Sequence, residues 1–133
     1  MLSVLAGLVV GSIANMAIVT LNTTVLFPMP PGTSFEDQAS FAAWVATLPP
    51  AAFLVVLAAH LAQAFVGGWV AARIAGRPRP PMFVGALTAA GSAVNMLQLP
   101  GPAWMWIDVP LCLAVAYGAW AIEARRRQGH AKP

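Results

Sequence analysis

The chain has 133 residues, of which 59% are hydrophobic and 8% charged, with a mean hydropathy of +0.75. A soluble domain carries about 25% charged residues, and at this length it leaves roughly a third of its unfolded surface in water. The composition therefore excludes a water-soluble globule and points to an integral membrane protein. The net charge of +3 and pI near 10 do not indicate a nucleic-acid partner. The basic residues fall in two short segments, which is a topology signal.

The first apolar run extends from about Leu2 to Phe27 and stops at Pro28, Pro30 and Pro31. The first residues carry no Lys or Arg and the run is too long for a signal-peptide core, so no cleaved leader is expected. Gly7, Gly11 and Asn15 recur every four residues and share a face on which another backbone can approach closely. Residues 28–48 form an outer loop with a rigid Pro28–Gly32 turn. A capping box formed by Thr33 with Glu36, or Ser34 with Asp37, then opens a short interfacial helix through Phe41, Trp44, Val45 and Leu48.

The second span opens at Pro49-Pro50 and runs to about Ile74, followed by the basic connection Gly76-Arg77-Pro78-Arg79-Pro80-Pro81. The third is expected from about Met82 to Leu99, and the fourth from about Trp104 to Ile122 with Pro110 in its first turns. Residues 124–133, with Arg125, Arg126, Arg127 and Lys132, form a basic cytoplasmic tail. The first and third loops have no Lys or Arg. The positive-inside rule therefore places both termini in the cytoplasm.

An internal duplication organises these runs. Gly11-Ser12-Ile13-Ala14-Asn15-Met16 returns as Gly91-Ser92-Ala93-Val94-Asn95-Met96, and Ala43-Trp44 stands before Pro50 as Ala103-Trp104 stands before Pro110. The expected fold is a single all-α membrane domain over residues 1–133. It contains four transmembrane helices as two parallel-related hairpins, a 2+2 repeat spanning about 1–75 and about 81–123. The implied pseudo-twofold axis lies along the membrane normal, unlike that of inverted-repeat transporters.

Few residues in these runs carry chemistry. His60 lies ten residues past Pro50, about 15 Å along its helix, and Gln63 shares its face. One reading has His60 hydrogen-bonding Asn15, Asn95 or a backbone carbonyl to hold helices together, for roughly 0.6 kcal/mol. The functional reading has His60, Gln63, Asn15 and Asn95 lining a polar intramembrane site. No Cys/His/Asp cluster has ligand spacing, so neither a metal nor a cofactor is expected. Ser12, Ser92 and Thr88 are expected to satisfy carbonyls of their own helices, and Cys112 to be a small buried apolar group.

Trp44, Trp104, Trp106 and Asp108 are expected to form an aromatic and acidic outer rim, with Asp108 near the boundary. The membrane interior then holds no carboxylate, which disfavours a proton-driven antiporter. No acid is placed to orient His60 toward a nucleophile, so no catalytic triad can be assembled and an enzyme is not expected.

Two phrases, Phe65–Arg73 (FVGGWVAAR) and Pro102–Asp108 (PAWMWID), resemble those of small bacterial four-helix inner-membrane proteins of unknown function. That resemblance implies a bacterial cytoplasmic-membrane setting and assigns no site residue. In size the chain is similar to small multidrug exporters, but its first helix has Asn15 where theirs has a glutamate. The leading functional expectation is a non-enzymatic membrane protein that binds or passes a small or lipid-like molecule. The rival is an accessory subunit of a larger membrane complex. Membrane lipids are the expected surroundings, and the glycine faces favour a homo-oligomer.

Overall fold

The computed structural model describes residues 1–130 and is helical, with no strand among them. Four long helices form a bundle: α1 (Leu2–Leu21), α3 (Pro50–Ala75), α4 (Arg79–Gln98) and α5 (Asp108–His130). A short helix, α2 (Gln38–Val45), lies in the first connection. A π-helical turn (Asn22–Leu26) extends α1, and a 3-10 turn (Ala103–Ile107) precedes α5. Three segments are long and apolar enough to cross a membrane: Leu2–Leu26, Pro50–Ala75 and Ala103–Gly129. α4 has 20 residues, about 30 Å of helix, but Arg79, two prolines, Asn95 and Gln98 lower its hydropathy. Lys132 of the basic tail lies outside the described residues.

α3 is the central helix and packs against α1, α4 and α5. Its small residues explain this, because Ala59, Ala64, Gly67, Gly68, Ala71 and Ala72 are all buried. A Cβ added at Gly7 would lie 2.5 Å from the Gly67 carbonyl oxygen, and one at Gly11 would lie 2.6 Å from the Gln63 oxygen. The Gly-x-x-x-Gly face of α1 is thus a backbone-to-backbone contact with α3, where dispersion between close surfaces replaces the side-chain interlock of larger residues. On the other flank, Gly85 of α4 packs against Ala116 and Cys112 of α5.

The repeated glycines do not have equal surroundings. Gly11 is buried on α3, whereas a Cβ at Gly91 meets nothing within 4 Å. The outer face of α1, with Leu2, Leu5, Val9 and Ile13, is exposed, as a lipid-facing surface would be.

Three boundaries differ from the sequence expectation. α2 begins at Gln38, because Asp37 is its cap and accepts from the Ala39 and Ser40 amides. Ser34 instead receives the Glu36 amide in a local turn, so neither expected capping box forms. The Ser40 side chain beside it is the main cause holding the Asp37 carboxyl below its ordinary value of 3.8. The cap is therefore fully present above that value and is lost as pH falls through the lower, folded one. α4 starts at Arg79, accommodating Pro80 and Pro81 in its first turn, where missing amides cost nothing.

α5 does not stop at Ile122 but continues to His130. The reason is Glu123, which is fully buried and accepts from Arg126 Nε and Nη2 at 2.9 Å and from Arg127 Nε at 3.1 Å. Arg127 also donates to the carbonyls of Ala72 and Arg73 at the end of α3. Arg127 packs over Gly76, whose φ of +65° closes α3 in the left-handed conformation. The start of the expected polar tail is therefore a folded clasp between α3 and α5.

The glycine contacts give a direct test. Gly7→Ala is expected to cost about 1–3 kcal/mol through overpacking against α3. Gly91→Ala is expected to be neutral or stabilising by up to about 1 kcal/mol. Thermal unfolding of the two variants in the same detergent checks the difference.

Candidate functional site

The site begins with the 3-10 turn. Each residue of such a turn advances about 2.0 Å, so Ala103–Ile107 carries the chain from the end of α4 back into the bundle before α5 starts. Met105 is buried while Trp104 and Trp106 are exposed. Asp108 then stands in the first turn of α5, where the helix dipole favours an anion. Pro110 follows in the same turn, where its missing amide is harmless.

Asp108 is therefore not a rim residue. It is fully buried and joins three helices. Its Oδ2 accepts from Nδ1 of His60 on α3 and from the Ser92 hydroxyl on α4, the latter at 2.5 Å. Its Oδ1 accepts from the Cys112 thiol one turn along α5, at 3.3 Å. When Asp108 is ionised it can only accept, and Nδ1 then carries the ring proton of the His60–Asp108 contact.

Several expectations are corrected by this geometry. His60 is held by an acid, not by Asn15, Asn95 or a backbone carbonyl. The bundle interior does contain a carboxylate, so the stated ground for disfavouring proton-coupled chemistry falls away. Ser92 donates to Asp108 instead of its own helix, although Thr88 does bond back to the Val84 carbonyl at 3.0 Å. Cys112 is buried, yet it is a hydrogen-bond donor as well as a small apolar group. The Ser92 hydroxyl addresses the carboxylate and not the imidazole, so these residues do not form a Ser–His–Asp relay. Among the described residues, no group of three or more His, Cys, Asp or Glu side chains is placed to hold a metal ion.

Above His60 lies a cavity of about 310 Å³. Its floor includes His60 and Ser92, so Asp108 stands one layer behind the wall. α1 and α4 meet where Gly7 faces Val84. Further along both helices, Asn15, Met16 and Val19 of α1 and Asn95, Met96 and Leu99 of α4 line the cavity. The Asn-Met pairs of both repeat copies thus face one space.

α3 adds Ala52, Phe53 and Val56, and the turn before α5 adds Met105 and Trp106. α2 and its flanks line another side, through Phe35, Phe41, Trp44, Val45 and Leu48. Phe35, Phe41 and Trp44 pack in series as tilted ring pairs with centroids 4.9 and 5.5 Å apart. Trp44 is thereby buried over the cavity and is not part of an exposed outer rim.

Of the four expected site residues, His60, Asn15 and Asn95 line the cavity and Gln63 does not. Gln63 lies one turn further along α3, where its carbonyl and Cγ pack against Gly11. Asn22, near the end of the first apolar run, is a cavity residue that the sequence analysis does not single out. Asn22 is 3% exposed, lines the cavity, and directs its Nδ2 at the Ala52 carbonyl at 3.5 Å. The Oδ1 atoms of Asn22 and Asn15 are both buried without a hydrogen-bond partner. The available signal was its heptad spacing from Asn15, two turns on the same face.

Fold and site together define an all-helical protein with apolar helices long enough to span a bilayer, a buried His–Asp pair and a mainly apolar cavity above it. Compared with protein-family models, with curated proteins and with solved structures, the chain matches none of them.

The carboxylate network makes a prediction about stability. His60→Leu leaves the buried Asp108 without its ring partner and is expected to cost about 3–5 kcal/mol. Asp108→Asn retains an acceptor and is expected to cost less, about 1–3 kcal/mol. The His60→Leu/Asp108→Asn double variant should be more stable than His60→Leu alone. Unfolding titrations of the three variants, read as a double-mutant cycle, measure the coupling.

Proposed function

We propose that this chain is a non-enzymatic integral membrane protein whose cavity binds, or passes, a small or lipid-like molecule. The observation that carries the reading is the cavity itself. At about 310 Å³ it falls in the range of small-molecule sites, and it shares their pattern of an apolar wall with a few fixed polar groups. Buried polar atoms without partners are rare in proteins and each costs about 1–3 kcal/mol. Two such oxygens, on Asn15 and Asn22, belong to residues that line the cavity.

The same proposal takes all four long helices as membrane crossings. α4 is about 30 Å long and is joined to α3 by a connection of only three residues, so the two run antiparallel side by side. In this reading four crossings leave both termini, with the clasp at Glu123 and Arg127, on one side of a bacterial inner membrane, and the loop charges favour the cytoplasmic one. In this arrangement the two hairpins are copies of one unit, and the cavity lies where their Asn-Met pairs converge. The proposed setting rests on the loop charges and on the resemblance to small bacterial four-helix membrane proteins.

Two measurements test the reading. Reporter fusions at either terminus should be active only as cytoplasmic reporters, and an external N- or C-terminus would overturn the topology. Native mass spectrometry of gently extracted protein should show a bound species of defined mass. Val56→Trp, which fills the cavity from α3 without touching the carboxylate network, should abolish it. A wild-type chain that is bare, or that is recovered only within a larger protein assembly, would overturn the binding reading in favour of an accessory subunit.

A further inference from the structure

We infer that the end of the bundle away from the cavity is a binding surface for anionic phospholipid, whose phosphate is met by Arg73, Arg77, Arg79 and Arg125. This goes beyond the cavity reading. It needs the bundle to lie in a membrane but does not depend on which way the bundle points.

The first support is the gathering of charge. Arg73 stands in the last turn of α3, Arg77 in the connection, Arg79 in the first turn of α4, and Arg125, Arg126 and Arg127 near the end of α5. All six are exposed. Arg127 donates to the Arg73 carbonyl and packs over Gly76, the neighbour of Arg77. Arg73 is in turn within electrostatic reach of Glu123. The end of α3, the connection and the end of α5 thus form one basic surface.

The second support is that the protein supplies too little negative charge to meet it. The chain has four acids, Glu36, Asp37, Asp108 and Glu123. Glu36 and Asp37 stand before α2 and Asp108 lies behind the cavity wall, so only Glu123 serves this end. Glu123 is buried and taken up by Arg126 and Arg127. Among the described residues, Arg73, Arg77, Arg79 and Arg125 form no ion pair.

The third support is the level of these charges, which separates a lipid from a soluble anion. The Arg73 guanidinium lies 5.2 Å from the Trp69 ring centroid, in the last turns of an apolar span. Tryptophan favours the boundary between hydrocarbon and headgroups. A guanidinium with its face against a ring keeps N–H groups along its edge for a phosphate. Ile74, Phe83 and Ile122 are exposed apolar neighbours of the same arginines. A negative headgroup joined to acyl chains complements both the charges and the apolar surface. A zwitterionic headgroup has the phosphate but cancels its charge, so anionic lipid is preferred.

The test uses the full chain in detergent, mixed with equal amounts of phosphatidylglycerol and phosphatidylcholine carrying the same acyl chains. Native mass spectrometry then compares the two lipid adducts. Phosphatidylglycerol is expected to dominate. Arg73→Gln should lower the preference by about fivefold, the worth of one arginine at an anionic surface. Arg73→Gln/Arg77→Gln/Arg79→Gln should bring the preference close to one. Thermal unfolding in the same detergent shows whether that variant is folded. If it is not, Arg77→Gln alone, in the exposed connection, should give the single-residue loss.

Wild-type protein that takes both lipids equally, or a preference that no arginine change lowers, overturns the inference. Val56→Trp acts at the other end and should leave the preference intact. Loss of phosphatidylglycerol adducts in Val56→Trp would put the lipid in the cavity, overturning this surface while sparing the cavity reading. A preference that persists in a protein whose cavity binds nothing upholds this surface alone.

Discussion

A carboxylate with no access to water must have its charge and lone pairs met by the protein, and Asp108 imposes that demand on this bundle. One oxygen is met from α3 and α4, through His60 and Ser92, and the other from within α5, through Cys112. Three of the four long helices are thereby fixed in rotation and in height against one point. Apolar contacts between Ala- and Gly-rich helices are nearly interchangeable from one turn to the next. A buried ionic cluster is not, because a one-turn slip would leave its members unpaired. The cluster thus sets the register in which the glycine contacts operate.

The fourth long helix, α1, is attached differently. It has no side-chain hydrogen bond to the Asp108 cluster and is held by the close approach of Gly7 and Gly11 to α3. This division has a consequence for the cavity. α1 and α4 meet at Gly7 and Val84 but are not joined by the carboxylate network where Asn15 and Asn95 stand. The space beside them is lined on another side by α2 and its aromatic series. The carboxylate-linked helices therefore supply one end of the cavity, and the connections between helices supply another.

At the opposite end, Glu123 gathers Arg126 and Arg127, and Arg127 reaches the last carbonyls of α3. These carbonyls lie at a helix C-terminus, where a cation is favoured. The α3–α5 pair is therefore tied twice, by Asp108 to His60 at one level and by Arg127 to the end of α3 at another. Along the stretch between, Gly68 and Ala116 allow close contact. Two separated polar ties with small residues between them make this pair the least slippable contact of the bundle.

Much of this was legible in the residues alone. Composition determined that the chain is apolar enough for a membrane, and proline and glycine punctuation placed the long helices, except for the C-terminal end of α5, to within a few residues. The i, i+4 spacing of Gly7 and Gly11 marked the face that packs. His60, Asn15 and Asn95 were recognisable because a lone polar group in an apolar run has few uses.

What the residues could not show is which of them meet. Asp108 reads as a boundary residue because it follows two tryptophans and precedes a proline, and only the inward 3-10 turn brings it beneath His60. Gln63 reads as a neighbour of His60 on its helix, but the approach of Gly11 turns that position into a packing contact. Asn22 stands near the end of the first apolar run and is buried only where α3 begins beside it, at Ala52. Helical periodicity is local and carries through the sequence, whereas the descent of a turn and the closure of a loop are set by contacts between residues tens of positions apart. The helices belong to the sequence, and the site to the tertiary structure.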